Sequence, residues 1–142
     1  MAMSCDLVIA SDKAKFGYPE VNRGLAAAMV MVGLTQLVGR RHALDLLLTG
    51  RLLEGPEAVA IGLINRVVPH EDLYTEALQY TAELAQKSPS ALRITKDLYR
   101  NVQEMDYDRA LEHARDINMM LRQTKDAKAG AQNFATGKDG SK

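Results

Sequence analysis

Cys5-Asp6-Leu7-Val8-Ile9-Ala10-Ser11-Asp12-Lys13-Ala14-Lys15-Phe16-Gly17-Tyr18-Pro19-Glu20-Val21 is the stretch whose reading decides the fold. Asp6 to Ala10 reads as a strand, because apolar and β-branched residues run together there. Ser11-Asp12-Lys13 is a polar turn between two β-like runs. Phe16-Gly17-Tyr18-Pro19-Glu20 then bends the chain at a glycine and a proline and leaves a carboxylate at the bend. Beyond it, Asn22 to Val38 is rich in Ala, Met, Val and Leu and carries almost no charge, so the helix it predicts is buried on most of its surface. Two short strands feeding a buried helix predict a mixed α/β layer.

Outward from that layer, Thr49 to Val68 reads as turn, helix and strand, with Glu57 to Leu63 helical and Ile64-Asn65-Arg66-Val67-Val68 extended. After Pro69 every segment reads as helix. Glu71 to Gln86 places Leu73, Ala77, Tyr80 and Leu84 on one stripe, and Ser88-Pro89 offers an N-cap followed by proline at the first helical position. That helix continues through Leu92, Thr95, Lys96 and Tyr99. Asp106 to Arg122 and Asp126 to Phe134 come next as two more, and Gly137 to Lys142 is expected to fray. The organisation is therefore an α/β region over residues 1–69 and an all-helical region over residues 70–142, with no internal repeat.

Composition narrows the class of function. A chain of 142 residues, 46% hydrophobic and 25% charged, is long enough for one core and too apolar for disorder. Eighteen basic residues balance eighteen acidic ones, so no net field favours nucleic acid or an anionic membrane as a partner. No apolar run reaches the roughly 18 residues of a membrane span, and Met1 to Asp6 lacks the basic region of a signal peptide, so a cytoplasmic location is expected. The lone cysteine, Cys5, excludes an internal disulfide and reads as a small apolar residue buried beside a strand.

Glu20 is the residue type in the place that chemistry needs. A carboxylate at the mouth of an apolar layer is partly desolvated, and desolvation favours the neutral form of a carboxyl. A group that gives and takes a proton with similar ease suits general acid–base work. The blander reading is a solvated first-turn residue that complements the helix dipole, which is what most glutamates after proline are. The other candidates read as structural. His42 beside Arg40 and Arg41 opens a helix on a solvated face. His70 and His113 have no Cys or carboxylate partners at ligand spacing, so no metal site is expected.

The Cys5 to Val21 stretch resembles the central signature of the enoyl-CoA hydratase/isomerase, or crotonase, family. Val38-Gly39-Arg40-Arg41-His42-Ala43-Leu44-Asp45-Leu46-Leu47-Leu48-Thr49-Gly50 is similar to the next family block. Glu57-Ala58-Val59-Ala60-Ile61-Gly62-Leu63-Ile64-Asn65-Arg66-Val67-Val68-Pro69 is similar to the one after that, and Ser88-Pro89-Ser90-Ala91-Leu92 with Lys96 to the later helical region. Four blocks in the family's order are far more specific than one Pro-Glu pair. Members run to roughly twice this length, so the resemblance covers their C-terminal portion.

That resemblance implies part of a spiral ββα core in residues 1–69, and a helical region in 70–142 that packs against neighbouring subunits in trimers or dimers of trimers. It implies an acyl-CoA thioester as substrate and no separate cofactor, because coenzyme A arrives with the substrate. It makes Glu20 the catalytic carboxylate and places Tyr18 in the acyl pocket. Phe134 matches an aromatic that lies over coenzyme A; Gly137 stands where the family has a lysine, with Lys138 one residue later. A second catalytic glutamate and both backbone donors of the oxyanion hole fall before Met1, so the chain is expected to be inactive alone. Where the family has a Pro-Gly-rich stretch, this chain has Leu25-Ala26-Ala27-Ala28-Met29, so its acyl pocket is expected to differ. Hydration of 2-enoyl-CoA is the activity expected. Isomerisation of enoyl-CoA, another acyl-CoA lyase reaction, and a non-catalytic assembly or binding role are the alternatives.

Overall fold

The computed structural model describes residues 4–135, with side chains described through Asn133. Its contacts divide into two compact units that meet in sequence between Tyr80 and Thr81.

In the first unit, strand β1 (Ile9–Ser11) and strand β2 (Lys15–Gly17) flank the turn predicted between them, which Ala14 N closes by donating to Ser11 O at 2.9 Å. A short 3-10 turn (Pro19–Arg23) comes next, then helix α1 (Ala28–Thr49), strand β3 (Leu52–Glu54), helix α2 (Gly55–Ala60) and strand β4 (Arg66–Val68). β1 pairs with β4 in parallel, Ala10 opposite Val67, and β2 pairs with β3 antiparallel, Phe16 opposite Leu53. Parallel pairing requires the intervening chain to cross back, and here α1, β3 and α2 make the crossing. Asn65 fixes the register where β1 begins: its side-chain oxygen accepts from Val8 N at 2.7 Å, and its own N–H donates to Val8 O at 2.9 Å.

The core lies between these elements. Leu34 and Leu46 of α1 and Leu53 of β3 are completely buried, with Val38, Ala43, Ala58, Leu63 and Ile64 around them. Burying each of the three leucines contributes about 1.5–3 kcal/mol. The expectation that the apolar helix is covered on most of its surface does not hold. α1 begins at Ala28 rather than Asn22 and breaks at Gly39 (φ 73°, ψ 166°), a conformation reserved for glycine, one residue after the predicted end. Its first half is apolar on all sides while the core covers one side, so Leu34 and Val38 are buried but Met29 is 94% and Val32 67% exposed.

Cys5 is likewise exposed, not buried. β1 starts only at Ile9, so the Cys5 segment is bent chain with no strand face to place a side chain in the core.

Helix α3 (Leu73–Ala85) runs across the boundary between the units, and its half-buried residues include the predicted Leu73, Ala77, Tyr80 and Leu84. The second unit then holds α4 (Pro89–Val102), α5 (Tyr107–Leu121) and α6 (Lys125–Ala135). Each start is capped by an oxygen that relieves an orphan N–H: Ser88 Oγ accepts from Ala91 N, Asp106 Oδ1 from Arg109 N, and Thr124 Oγ1 from Ala127 N. Ile94, Leu98 and Val102 of α4 and Ala110, His113, Ala114 and Ile117 of α5 form the inward stripes of this unit.

Candidate functional site

β2 ends at Gly17, and the next residues set the path of the chain. Tyr18 is the cap residue of the 3-10 turn, and Pro19 at its first position has φ preset for helical geometry and no N–H to leave unpaired. Glu20 is therefore carried in a tight first turn. The turn is closed by Gly24 in the left-handed conformation (φ 71°), whose N–H donates to Val21 O at 3.1 Å, while Leu25 N donates to Glu20 O at 3.1 Å.

The Glu20 side chain is half-buried, and its Oε2 is shut off from solvent with no hydrogen-bond partner among the described residues. Buried carboxylate oxygens are nearly always satisfied, so an unpartnered one marks a place where structure alone does not explain the residue. The solvated-residue reading of Glu20 does not fit such an oxygen. What this oxygen can do is accept a proton, or donate one from its neutral form, to a group that enters beside it.

Tyr18 stands next to it and packs against the core. Burial pushes the Tyr18 hydroxyl above its ordinary value, and the nearby charge of Glu20 pushes it further in the same direction. The hydroxyl is thus a neutral donor and acceptor at physiological pH. Phe134 falls in α6, but its side chain and the whole of Lys138 lie outside the described residues. The structure therefore brings Glu20 and Tyr18 together.

Sequence reading missed what holds this turn in place. Gly17 lies so close to β3 that a Cβ there would sit 2.5 Å from Arg51 O and 2.7 Å from Leu52 Cδ2. On the other side of Glu20, Gly50 closes α1 with φ 61°, and a Cβ on it would fall 2.9 Å from Asn22 Nδ2 and 3.0 Å from Val21 Cγ1. Between them, Arg51 is an anchor: its guanidinium reaches Asp45 Oδ2 at 2.7 Å and Glu57 Oε1 at 2.8 Å. Hydrogen bonds from Arg51 hold the Glu57 carboxyl below its usual range, and reciprocally the Arg51 value is raised by Glu57 first and Asp45 second. A glycine after a helix and before a strand is the available signal for Gly50. Nothing periodic links Arg51 to Asp45 and Glu57.

The three histidines lie on elements other than the Glu20 turn. His42 is exposed, as a solvated helix face requires. His70 Nδ1 lies within hydrogen-bonding distance, 3.1 Å, of the buried Ser11 Oγ, and His113 lies in a cleft of about 170 Å³ between α4 and α5 with Asp97, Asn101 and three apolar residues. Among the described residues, no three His, Cys, Asp or Glu side chains gather as a metal site, and no helix is long and apolar enough to cross a membrane.

Comparison with known proteins gives one consistent result. The profile of the enoyl-CoA hydratase/isomerase family matches residues 1–140. A Thermus thermophilus protein assigned as an enoyl-CoA hydratase is 41% identical over 134 residues, covering 94% of this chain and 53% of that one. The short-chain-enoyl-CoA hydratase of Clostridioides difficile is 35% identical over 135 residues, covering 94% of this chain and 87% of that one. The crystal structure of an enoyl-CoA hydratase from Mycobacterium smegmatis superposes with a TM-score of 0.92 at 28% identity, over 96% of this chain and 53% of that one. Apart from the Clostridioides protein, the chain spans about half the length of these relatives.

Proposed function

The chain belongs to the enoyl-CoA hydratase/isomerase family and has its crotonase-type α/β fold over about half the family length, and we propose from this that it supplies part of an enzyme that hydrates 2-enoyl-CoA thioesters reversibly. The observation that carries this reading is the buried Oε2 of Glu20, without a hydrogen-bond partner among the described residues, at the bend where the family signature has its carboxylate. In the hydration direction, water adds at the β-carbon and Glu20 delivers a proton to the α-carbon; in the reverse direction Glu20 removes that proton. Tyr18 would border the acyl chain, and Phe134 and Lys138 the coenzyme A portion.

The reaction develops negative charge on the thioester oxygen, and stabilising that charge needs preorganised donors. In this reading those donors, and a second glutamate that holds water, come from the part of the longer relatives that this chain does not span. Each missing donor weakens catalysis by about 3–4 kcal/mol, so the chain alone is expected to be nearly inactive. Residues 70–142 would contribute subunit contacts in a trimer or a pair of trimers, supported by the exposure of Met119 and Met120 on α5. A cytoplasmic location goes with this reading. A second reading is enoyl-CoA isomerisation, which can work with a single carboxylate at the Glu20 position.

The test is to express the chain with the N-terminal half of the Thermus thermophilus relative, confirm assembly by gel filtration, and follow loss of crotonyl-CoA absorbance. Hydration is expected, and Glu20→Gln, which keeps the shape and removes the titrating proton, should lower kcat by about two to four orders of magnitude with a smaller change in KM. An assembled complex that shifts a 3-enoyl-CoA double bond but adds no water would favour the isomerase. Near wild-type hydration by the Gln variant would overturn the role of Glu20.

A further inference from the structure

The chain on both sides of Glu20 rests on one short stretch, Gly50-Arg51-Leu52. Gly17, three residues before Glu20, is pressed against Arg51 O and Leu52; Val21 and Asn22, just after it, are pressed against Gly50. Leu52 is also the strand partner of Gly17. If Gly50-Arg51-Leu52 moves, the turn that carries Glu20 moves with it. The stretch follows α1 and runs into β3, which leads to α2, and the Arg51 side chain ties it to both helices: Asp45 lies in the last turns of α1 and Glu57 in the first turn of α2. The two contacts use different nitrogens, Nε toward Asp45 and Nη2 toward Glu57, in addition to an Nη2 contact with Asp45, so the planar guanidinium is fixed in orientation as well as position.

We propose that Arg51 is a positioning residue for Glu20: held by Asp45 and Glu57, it fixes the Gly50-Arg51-Leu52 stretch against which the Glu20 turn is set. Its bearing on catalysis rests on Glu20 being the carboxylate that moves the proton. Arg51 does not touch the Glu20 carboxylate in this role; it acts through the backbone of Gly17 and through Val21 and Asn22. Exposed ion pairs contribute little to global stability, so the effect of removing this one should appear in the placement of Glu20 more than in unfolding. A catalytic group displaced by a fraction of an ångström loses rate while the distant binding contacts keep KM.

Arg51→Met keeps the stem and removes both ion pairs; Arg51→Lys keeps one cation and loses the fork. In the 142-residue chain, hydrogen exchange at Gly24 and Leu25, whose N–H groups close the Glu20 turn, should quicken in the order wild type, Lys, Met. Exchange at Asn65, whose N–H donates to Val8 O where β1 begins, should stay as in wild type. In the assembly with the N-terminal half, Arg51→Met should lower kcat roughly tenfold with KM within about twofold, and Lys should fall between. Wild-type exchange at Gly24 and Leu25 in Arg51→Met would overturn the proposal, as would equal quickening at Asn65, which would make Arg51 an ordinary stability residue. Should Arg51→Met not fold, Asp45→Asn and Glu57→Gln remove the two arms singly and carry the same expectations at half strength. An inactive wild-type assembly would count against the hydratase reading alone, because the exchange results do not depend on turnover.

Discussion

Tyr18 and Glu20, one proline apart, are electrostatically coupled: burial lifts the Tyr18 hydroxyl above its ordinary value of 10.0, and the Glu20 charge adds to the lift. Linkage gives the sign of the consequence. A tyrosine whose folded value is raised binds its proton more tightly in the folded state, so its contribution is fully present below pH 10 and is lost as pH rises through the folded value. Unfolding free energy, measured in urea from about pH 8 upward, should therefore decline more steeply in wild type than in Tyr18→Phe. In Glu20→Gln, the Tyr18 ring carbon should titrate lower than in wild type yet still above 10.0, because burial is the larger cause. A Tyr18 titration unchanged by Glu20→Gln would mean the two are not coupled.

Gly17 and Gly24 bracket the same turn for different reasons, and alanine separates them. At Gly17 an added Cβ meets backbone at 2.5 Å, so the β2–β3 pair must part, at a cost of about 1–3 kcal/mol. At Gly24 the space is open and only the left-handed φ of 71° resists, which costs about 1 kcal/mol. Urea unfolding should rank Gly17→Ala as the more damaging. The opposite order would show that β2 and β3 slide apart easily.

α1 leaves Met29, Val32 and Leu48 exposed at 94%, 67% and 69%, more apolar surface than a lone helix face keeps in water without consequence. Sedimentation of the 142-residue chain should show concentration-dependent association, weakened in Met29→Lys/Val32→Lys. A compact monomer at every concentration, resistant to protease, would contradict this.

How far the sequence can be read depends on the kind of signal. The turn at Ser11-Asp12-Lys13, the stripe on α3 and the cap at Ser88 are legible because each is local: a polar run, a helical period, a hydroxyl before proline. Glu20 is legible because its signature is contiguous. The start of α1 is not, since Leu25 to Ala27 runs into the helix with no local break, yet Pro19 begins a 3-10 turn that Gly24 ends, and the helix has to start afresh at Ala28. The depth of burial on α1 escapes the sequence for another reason. An apolar helix tells how much cover it wants, and only the fold tells how much it has. The brace at Arg51 is invisible because its partners lie six residues away on either side, a spacing that belongs to no regular element.

The parallel pairing of β1 with β4 has a kinetic consequence. Val8 and Asn65, which set its register, are 57 residues apart, and the Glu20 turn, α1, β3 and α2 all lie inside the loop they close. Closing so long a loop is entropically opposed until the enclosed segments have packed, so this pairing belongs to the slow end of folding and the segments within it must collapse first. Substitutions in the Leu34–Leu46–Leu53 core should then slow folding itself, whereas changes at Val8 or Asn65 should chiefly hasten unfolding. The chain would thus assemble the surroundings of its carboxylate before it ties the strand that encloses them.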